Sequence, residues 1–189
     1  DRKVAVKQLR RSPEVDDKEV IERIKNRFLG ESRTLARISH PNVPSIYDVD
    51  LSEDKMLLIF EFIEGENFLK KIEQAPSIEE LREWFIQIGH ALAYVHKQGI
   101  IHRDIKPENI IISKDNQSAY LVDFGIALSA DEGNRLTETN YTIGSAIYTA
   151  PERYNKEDTP ASDIFSLGST LYDAISGKRR NSRLQESLY

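Results

Sequence analysis

The sequence predicts an α+β fold in two lobes, a small antiparallel-sheet lobe over residues 1–63 and a mainly helical lobe over residues 64–189. Three observations carry this reading. Early in the chain, apolar residues alternate or run in strand-length blocks at residues 4–9, 46–49 and 56–62. Further on they recur at i, i+3, i+4 and i+7, which gathers them on one face of a helix. Between the two regimes, Glu64-Gly65-Glu66 breaks the pattern as a short flexible joint, and the lobe boundary is placed there.

Taken in order, Val4-Ala5-Val6-Lys7-Gln8-Leu9 alternates like a strand, with Lys7 following small apolar residues. Val20, Ile21, Ile24, Phe28, Leu35 and Ile38 then recur at helical spacing to about residue 39, where Ser39-His40-Pro41 ends the pattern. The two strands at 46–49 and 56–62 are joined by the polar turn Ser52-Glu53-Asp54. Ser77-Ile78-Glu79-Glu80 has the form of a capping box, in which the Ser hydroxyl caps a helix and Glu80 reaches back. The helix that follows carries Leu81, Trp84, Phe85, Ile88, Leu92 and Val95 on one stripe, and Gly99 stops it. Beyond Gly125 about 25 residues lack periodicity, and a stretch of that length is functional or disordered. Ala150-Pro151-Glu152 closes it, and an apolar helix runs from Asp163 to about Ile175.

The bulk numbers narrow the classes. At 189 residues with 39% apolar content, the chain is large enough for a core. A net charge of −5 offers nucleic acid no attraction. The absence of cysteine excludes disulfides and thiolate metal sites, and suits a reducing, cytoplasmic setting. No run reaches the roughly 18 apolar residues that a membrane span needs. A tether outside this sequence is compatible with that.

The densest chemistry lies in His102-Arg103-Asp104-Ile105-Lys106-Pro107-Glu108-Asn109, a charged loop between the strand-like apolar runs 99–101 and 110–112. A polar loop held by a rigid scaffold is where reactive groups tend to sit. Asp123-Phe124-Gly125 follows another strand-like run. Phosphoryl transfer asks a protein to position groups and neutralise charge: a cation on the phosphates, oxygen ligands for Mg²⁺, and a carboxylate beside the acceptor. These residue types suit those roles. Taken singly each has a plainer reading, since Asp-Phe-Gly is usually a turn, a strand lysine is usually solvated, and Ala-Pro-Glu often just starts a helix.

In combination Lys7, Glu31, the 102–109 loop, Asp123-Phe124-Gly125 and Ala150-Pro151-Glu152 fall in one order and spacing. By these motifs the chain resembles the eukaryotic-type Ser/Thr protein kinases, over almost its whole length, with a bacterial flavour. The resemblance implies the following. Lys7 holds the α- and β-phosphates of ATP, with Glu31 as its helix partner. Asp104 is the catalytic base, Lys106 adds positive charge at the transferred group, and Asn109 and Asp123 ligate Mg²⁺, for which Mn²⁺ can substitute. Ala5, Ile63 and Ile111 line the adenine slot, backbone atoms of Glu61 and Ile63 bond the base, and Phe60 is the gatekeeper. Leu35, Ile46, His102 and Phe124 stack as a spine, for which plain core packing is the simpler alternative. Ser145 bonds Asp104 and Lys106, and Lys106 itself marks Ser/Thr rather than Tyr acceptors in protein substrates. Arg103 pairs with a phosphate on the long loop. Thr137 and Thr139 are the expected autophosphorylation sites, with a second copy of the protein as partner. Glu152 and Asp163 complete the regulatory set.

Two departures from the family pattern stand out. The Gly-rich loop expected before Lys7 and the last helices of the lower lobe are not in the sequence, so the chain is expected to be part of a longer kinase domain, with a natural truncated kinase as the alternative. A degenerate kinase acting as a nucleotide-sensing or protein-binding module is one rival reading, although each catalytic side chain is intact. A small-molecule kinase of the antibiotic-phosphotransferase type is the other, opposed by Ala150-Pro151-Glu152 and the threonine-bearing segment.

Overall fold

The computed structural model describes residues 2–9, 17–51, 55–125, 146–155 and 157–176. Three strands form the upper sheet: β1 (Val4–Leu9), β2 (Ile46–Asp50) and β3 (Met56–Glu61), in the antiparallel order β1-β3-β2. Its register sets Ala5 against Phe60 and Lys7 against Leu58. A bulge between Ile46 and Asp48 bends β2. Alternation along β1 leaves Val4 and Val6 exposed and half-buries Ala5 and Lys7, so the lysine faces inward.

Helix α1 (Lys18–Leu35) packs against this sheet through Phe28 and Leu35. Asp17 caps it by accepting from the Glu19 N–H at 2.8 Å. It stops at Leu35, earlier than the periodicity suggests, because the next residues tighten: Arg37 and Ile38 N–H bond the carbonyls of Thr34 and Leu35. Ile38 is still buried, which explains its place in the pattern.

The second sheet starts at the joint. β4 (Gly65–Asn67), β5 (Ile110–Ser113) and β6 (Ala119–Leu121) run antiparallel in that order. Gly65 is required here, because a Cβ would run into the Ile112 carbonyl oxygen and lie 2.7 Å from Ile111 Cγ2. A short helix α2 (Phe68–Glu73) follows, capped by Asn67, which accepts from the Lys70 N–H at 3.1 Å. Helix α3 (Ile78–Lys97) opens on the expected capping box, with Glu80 N–H on Ser77 Oγ at 3.2 Å and Ser77 N–H on Glu80 Oε2 at 2.8 Å. Leu81, Trp84, Ile88, Leu92 and Val95 are buried on its inner face. Phe68 stands edge-on to Trp84 and Phe85, with ring centroids 5.9 and 5.6 Å apart.

One apolar core joins the lobes, running from Phe28, Leu35 and Leu58 to Ile88, Ile110 and Leu121. A second tie is polar. Asn42, in the connection between α1 and β2, donates its side-chain amide to the Ala119 carbonyl at 2.9 Å, and its own carbonyl accepts from Leu121 N–H at 2.8 Å.

Two elements differ from expectation. Residues 99–101 are not a strand: Gly99 turns left-handed (φ 76°), and Ile100 N–H returns to the Val95 carbonyl at 3.2 Å. The last described helix, α4 (Pro160–Ser176), begins three residues before Asp163, with proline at its first position. Its amphipathicity is inverted. Ser162, Asp163, Ser166, Ser169, Thr170 and Asp173 are buried, while Ile164, Phe165, Tyr172 and Ile175 are exposed. Much of the buried side is satisfied internally: Ser166 and Thr170 hydroxyls donate to carbonyls one turn back at 2.9 Å, and Asp173 Oδ2 accepts from Tyr148 OH at 2.8 Å, while its buried Oδ1 has no hydrogen-bond partner among the described residues. No described helix is long and apolar enough to cross a membrane.

Candidate active site

The charged loop is built on a buried carboxylate. Asp163 has no solvent exposure, and it accepts from His102 N–H at 2.7 Å, Arg103 N–H at 2.9 Å and His96 Nε2 at 2.8 Å. Burial pushes its pKa up, but the His96 bond, the nearby His102 and the two backbone donors outweigh this and hold it below the usual carboxylate value. His102 is also fully buried. Its Nδ1 accepts from Asp104 N–H at 3.3 Å, so its Nε2 carries the proton given to the Val122 carbonyl at 3.0 Å. Burial dominates its pKa and pushes it below 6.5, against the opposing pull of Asp163, so the imidazole is neutral.

Between these anchors Arg103 is forced to φ 70°, a region that non-glycine residues seldom occupy. Strain of this kind gathers where the surroundings over-determine a functional geometry. Its effect is to present Asp104, whose carboxylate oxygens lie 3.0 and 2.8 Å from Lys106 Nζ. Asn109 is buried and donates its amide to Asp104 Oδ2 at 2.8 Å and to the Asp104 carbonyl at 2.7 Å. Asp104, Lys106 and Asn109 are therefore one cluster. The Asn109 carbonyl accepts from Val122 N–H at 3.0 Å, which ties the cluster to the chain next to Asp123.

Asp123 is the second strained residue (φ 62°), and its carboxylate meets Lys7 Nζ at 2.5 Å across the lobes. Lys7 also donates to the Phe124 carbonyl at 3.0 Å. The expected helix partner, Glu31, lies 3.3 Å from Arg27 at i, i+4 spacing on its own helix, and Lys7 is ion-paired with Asp123, whose left-handed backbone carries its carboxylate to the lysine. Phe124 is buried, with its ring centroid 4.5 Å from that of His102, and Leu35 is buried in the same core, with Ile46 packed against it.

Above Asp123 a cavity of about 350 Å³ opens between the lobes. Ala5, Lys7, Phe60, Glu61, Ile63, Ile111 and Asp123 line it, together with Val6, Phe62 and Leu121, which sequence reasoning did not single out. Glu61 N–H is tied to the Ser45 carbonyl at 2.8 Å, which fixes the strand end at the cavity rim.

On the far side of the loop, Arg103 Nε lies 3.2 Å from Asp158 Oδ2. Glu152 accepts from Ser162 Oγ at 2.6 Å, a bond to the start of α4 that its motif alone does not reveal. Thr137, Thr139 and Ser145 lie outside the described residues. Sequence reading also missed His96 and Asp158. His96 had one signal, a histidine in the last turn of α3, just before the loop; Asp158 had none.

A lysine from the upper sheet thus meets a carboxylate of the lower lobe beside a cleft. A family model described as the protein kinase domain matches residues 1–187, and the chain belongs to that family. Serine/threonine-protein kinase PknA of Mycobacterium tuberculosis is 39% identical over 186 residues, covering 94% of this chain and 42% of the relative. Serine/threonine-protein kinase B of Synechocystis sp. is 32% identical over 183 residues, covering 92% of this chain and 32% of the relative. The chain thus spans less than half the length of these bacterial relatives.

Proposed function

We propose that this site transfers the γ-phosphoryl group of ATP to Ser or Thr hydroxyls of protein substrates. The observation that carries the reading is the locked cluster in which Lys106 and Asn109 each lie within 3.0 Å of the Asp104 carboxylate, tied through Val122 to Asp123. In the transfer the substrate hydroxyl oxygen forms a bond to the γ-phosphorus while the bond from that phosphorus to the β-bridging oxygen breaks, and ADP leaves with the electron pair. Asp104 takes the hydroxyl proton. Lys106, bonded to both Asp104 oxygens, orients the carboxylate and brings a positive charge next to the transferred group. Lys7 exchanges Asp123 for the α- and β-phosphates, and Ala5, Ile63 and Ile111 hold the adenine against Phe60.

A divalent cation fits the donor set. Asn109 commits its amide nitrogen to Asp104 and so turns its oxygen away from it, and the Asp123 carboxylate is half exposed at the cavity. Two hard oxygen donors, completed by phosphate and water, suit Mg²⁺ or Mn²⁺. When bound, the ion neutralises charge developing on the leaving phosphate.

Regulation follows from Arg103, which a phosphate on Thr137 or Thr139 would engage after autophosphorylation by a second copy. The decisive experiment is ATP turnover on a protein substrate by the wild type and an Asp104→Asn variant. We expect the variant to lose about 10²- to 10⁴-fold in kcat, the usual worth of a general base. Equal transfer by both would remove Asp104 from the mechanism. Nucleotide binding without transfer by either would favour a sensing or docking module.

A further inference from the structure

Arg103 immediately precedes Asp104, yet its side chain leads away from the cleft. It ends beside Asp158, in the connection between the Pro151–Asn155 turn and α4. Asp158 is shared: its Oδ2 lies 3.2 Å from Arg103 Nε, and its Oδ1 accepts from Arg153 Nε at 2.7 Å. One carboxylate thus bridges two guanidinium groups whose charges would otherwise repel. Arg153 is nearly buried, with 8% of its side chain exposed against 37% for Asp158, so water reaches its half of the bridge mainly from the carboxylate side. The Arg103 half is Coulombic, because its buried Nε makes no aligned hydrogen bond.

The position of this bridge gives it a consequence. Arg103 holds a left-handed backbone, and a residue kept there must be fixed by its surroundings. Its amide is fixed by Asp163 Oδ1 at 2.9 Å, and its other end by Asp158. A carboxylate between two arginines offers the charge and planar oxygens that a phosphate monoester would offer the same guanidinium.

We propose that Asp158 is a positioning residue for phosphoryl transfer: shared between Arg103 and Arg153, it holds the catalytic loop in its strained, working conformation without a phosphate on residues 126–145. The proposal rests on the kinase reading above. It makes the unphosphorylated protein active, and it makes loop phosphorylation an adjustment rather than a switch.

The test compares phosphatase-treated wild type with Asp158→Ala, Asp158→Asn and Asp158→Glu, measuring kcat and the KM for ATP on one peptide substrate. Backbone amide exchange at residues 102–105 is followed in the same proteins. Dephosphorylated wild type is expected to keep at least about one third of the kcat of the autophosphorylated form. Ala and Asn should lose about tenfold in kcat with the KM for ATP unchanged, and Glu should recover most of it. Amides at Arg103 and Asp104 should exchange faster in Ala and Asn and return to normal in Glu. The proposal is overturned if Asp158→Ala keeps wild-type kcat, if Glu fails to rescue, or if dephosphorylated wild type falls tenfold or more. Should wild type transfer no phosphate in either state, the kinase reading falls separately. The exchange pattern then decides whether Asp158 positions the loop.

Discussion

Replacing Asp163 with Asn tests how far the catalytic loop depends on one buried carboxylate. The change is nearly isosteric, so packing is preserved and only charge and hydrogen bonding alter. In the native protein Oδ2 accepts from His96 Nε2 at 2.8 Å and His102 N–H at 2.7 Å, and Oδ1 accepts from Arg103 N–H at 2.9 Å. An amide keeps only one acceptor oxygen. Its least harmful orientation leaves that oxygen on His96 and His102 and turns the new NH₂ toward the Arg103 N–H. One hydrogen bond to a charged acceptor is lost, worth about 1.5–3 kcal/mol, and two donors are left facing each other in a dry site, costing about 1–3 kcal/mol more. The sum, about 2.5–6 kcal/mol, brackets the usual penalty of about 3–5 kcal/mol for breaking a buried charge pair. It is a large fraction of the roughly 5–15 kcal/mol that stabilises a typical domain. Urea unfolding monitored by tryptophan fluorescence would read this as a lower midpoint at unchanged slope. Hydrogen exchange would show the Arg103 amide released from protection. A loss under about 1 kcal/mol, with Arg103 still protected, would refute the view that Asp163 holds the strained loop.

Other perturbations reach different parts of the fold. Gly65→Ala forces a Cβ against the Ile112 carbonyl and Ile111, and should cost about 1–3 kcal/mol in the same unfolding assay. An unchanged midpoint would mean that β4 shifts freely. Acid should weaken the protein in two stages. The His102 pKa is lowered in the native state, so its contribution is complete above 6.5 and declines as pH falls below that value, because only the unfolded chain takes up the proton readily. His40, lowered by burial and by His90, acts in the same direction. The slope should approach about 1.4 kcal/mol per pH unit for each histidine involved. Asp163, also lowered, contributes above 3.8 and loses its share as pH drops through its still lower native value. A midpoint that stays flat from pH 7.5 to 5 would contradict the neutral, buried assignment of His102.

Legibility in the sequence tracked the range of the interactions involved. Helix α3 could be read in full, because its cap and stripe are local: Ser77 and Glu80 sit three residues apart, and Leu81 through Val95 repeat at the helical period. The loop carrying Asp104, Lys106 and Asn109 was legible for the same reason, since its members hydrogen-bond within one short segment. Helix α2 was too short for a period to show. In α4 the apolar residues stood out, yet the face that packs inward is the one with Ser162, Asp163 and Thr170, so pattern reading points its core the wrong way. The Lys7–Asp123 pair and the Asp158 bridge join distant segments, and only the fold reveals which opposite charges meet.

The connection that bears Asn42 has a mechanical meaning. The upper sheet reaches the lower lobe along the chain at Glu61–Gly65 and again through Asn42, which grips Ala119 and Leu121. These two ties and the shared apolar core hold the upper sheet against the lower lobe, and Lys7 adds an ion pair to Asp123 across the cleft. With 28% and 46% of the two side chains exposed, that pair is the tie that dissolved salt weakens first.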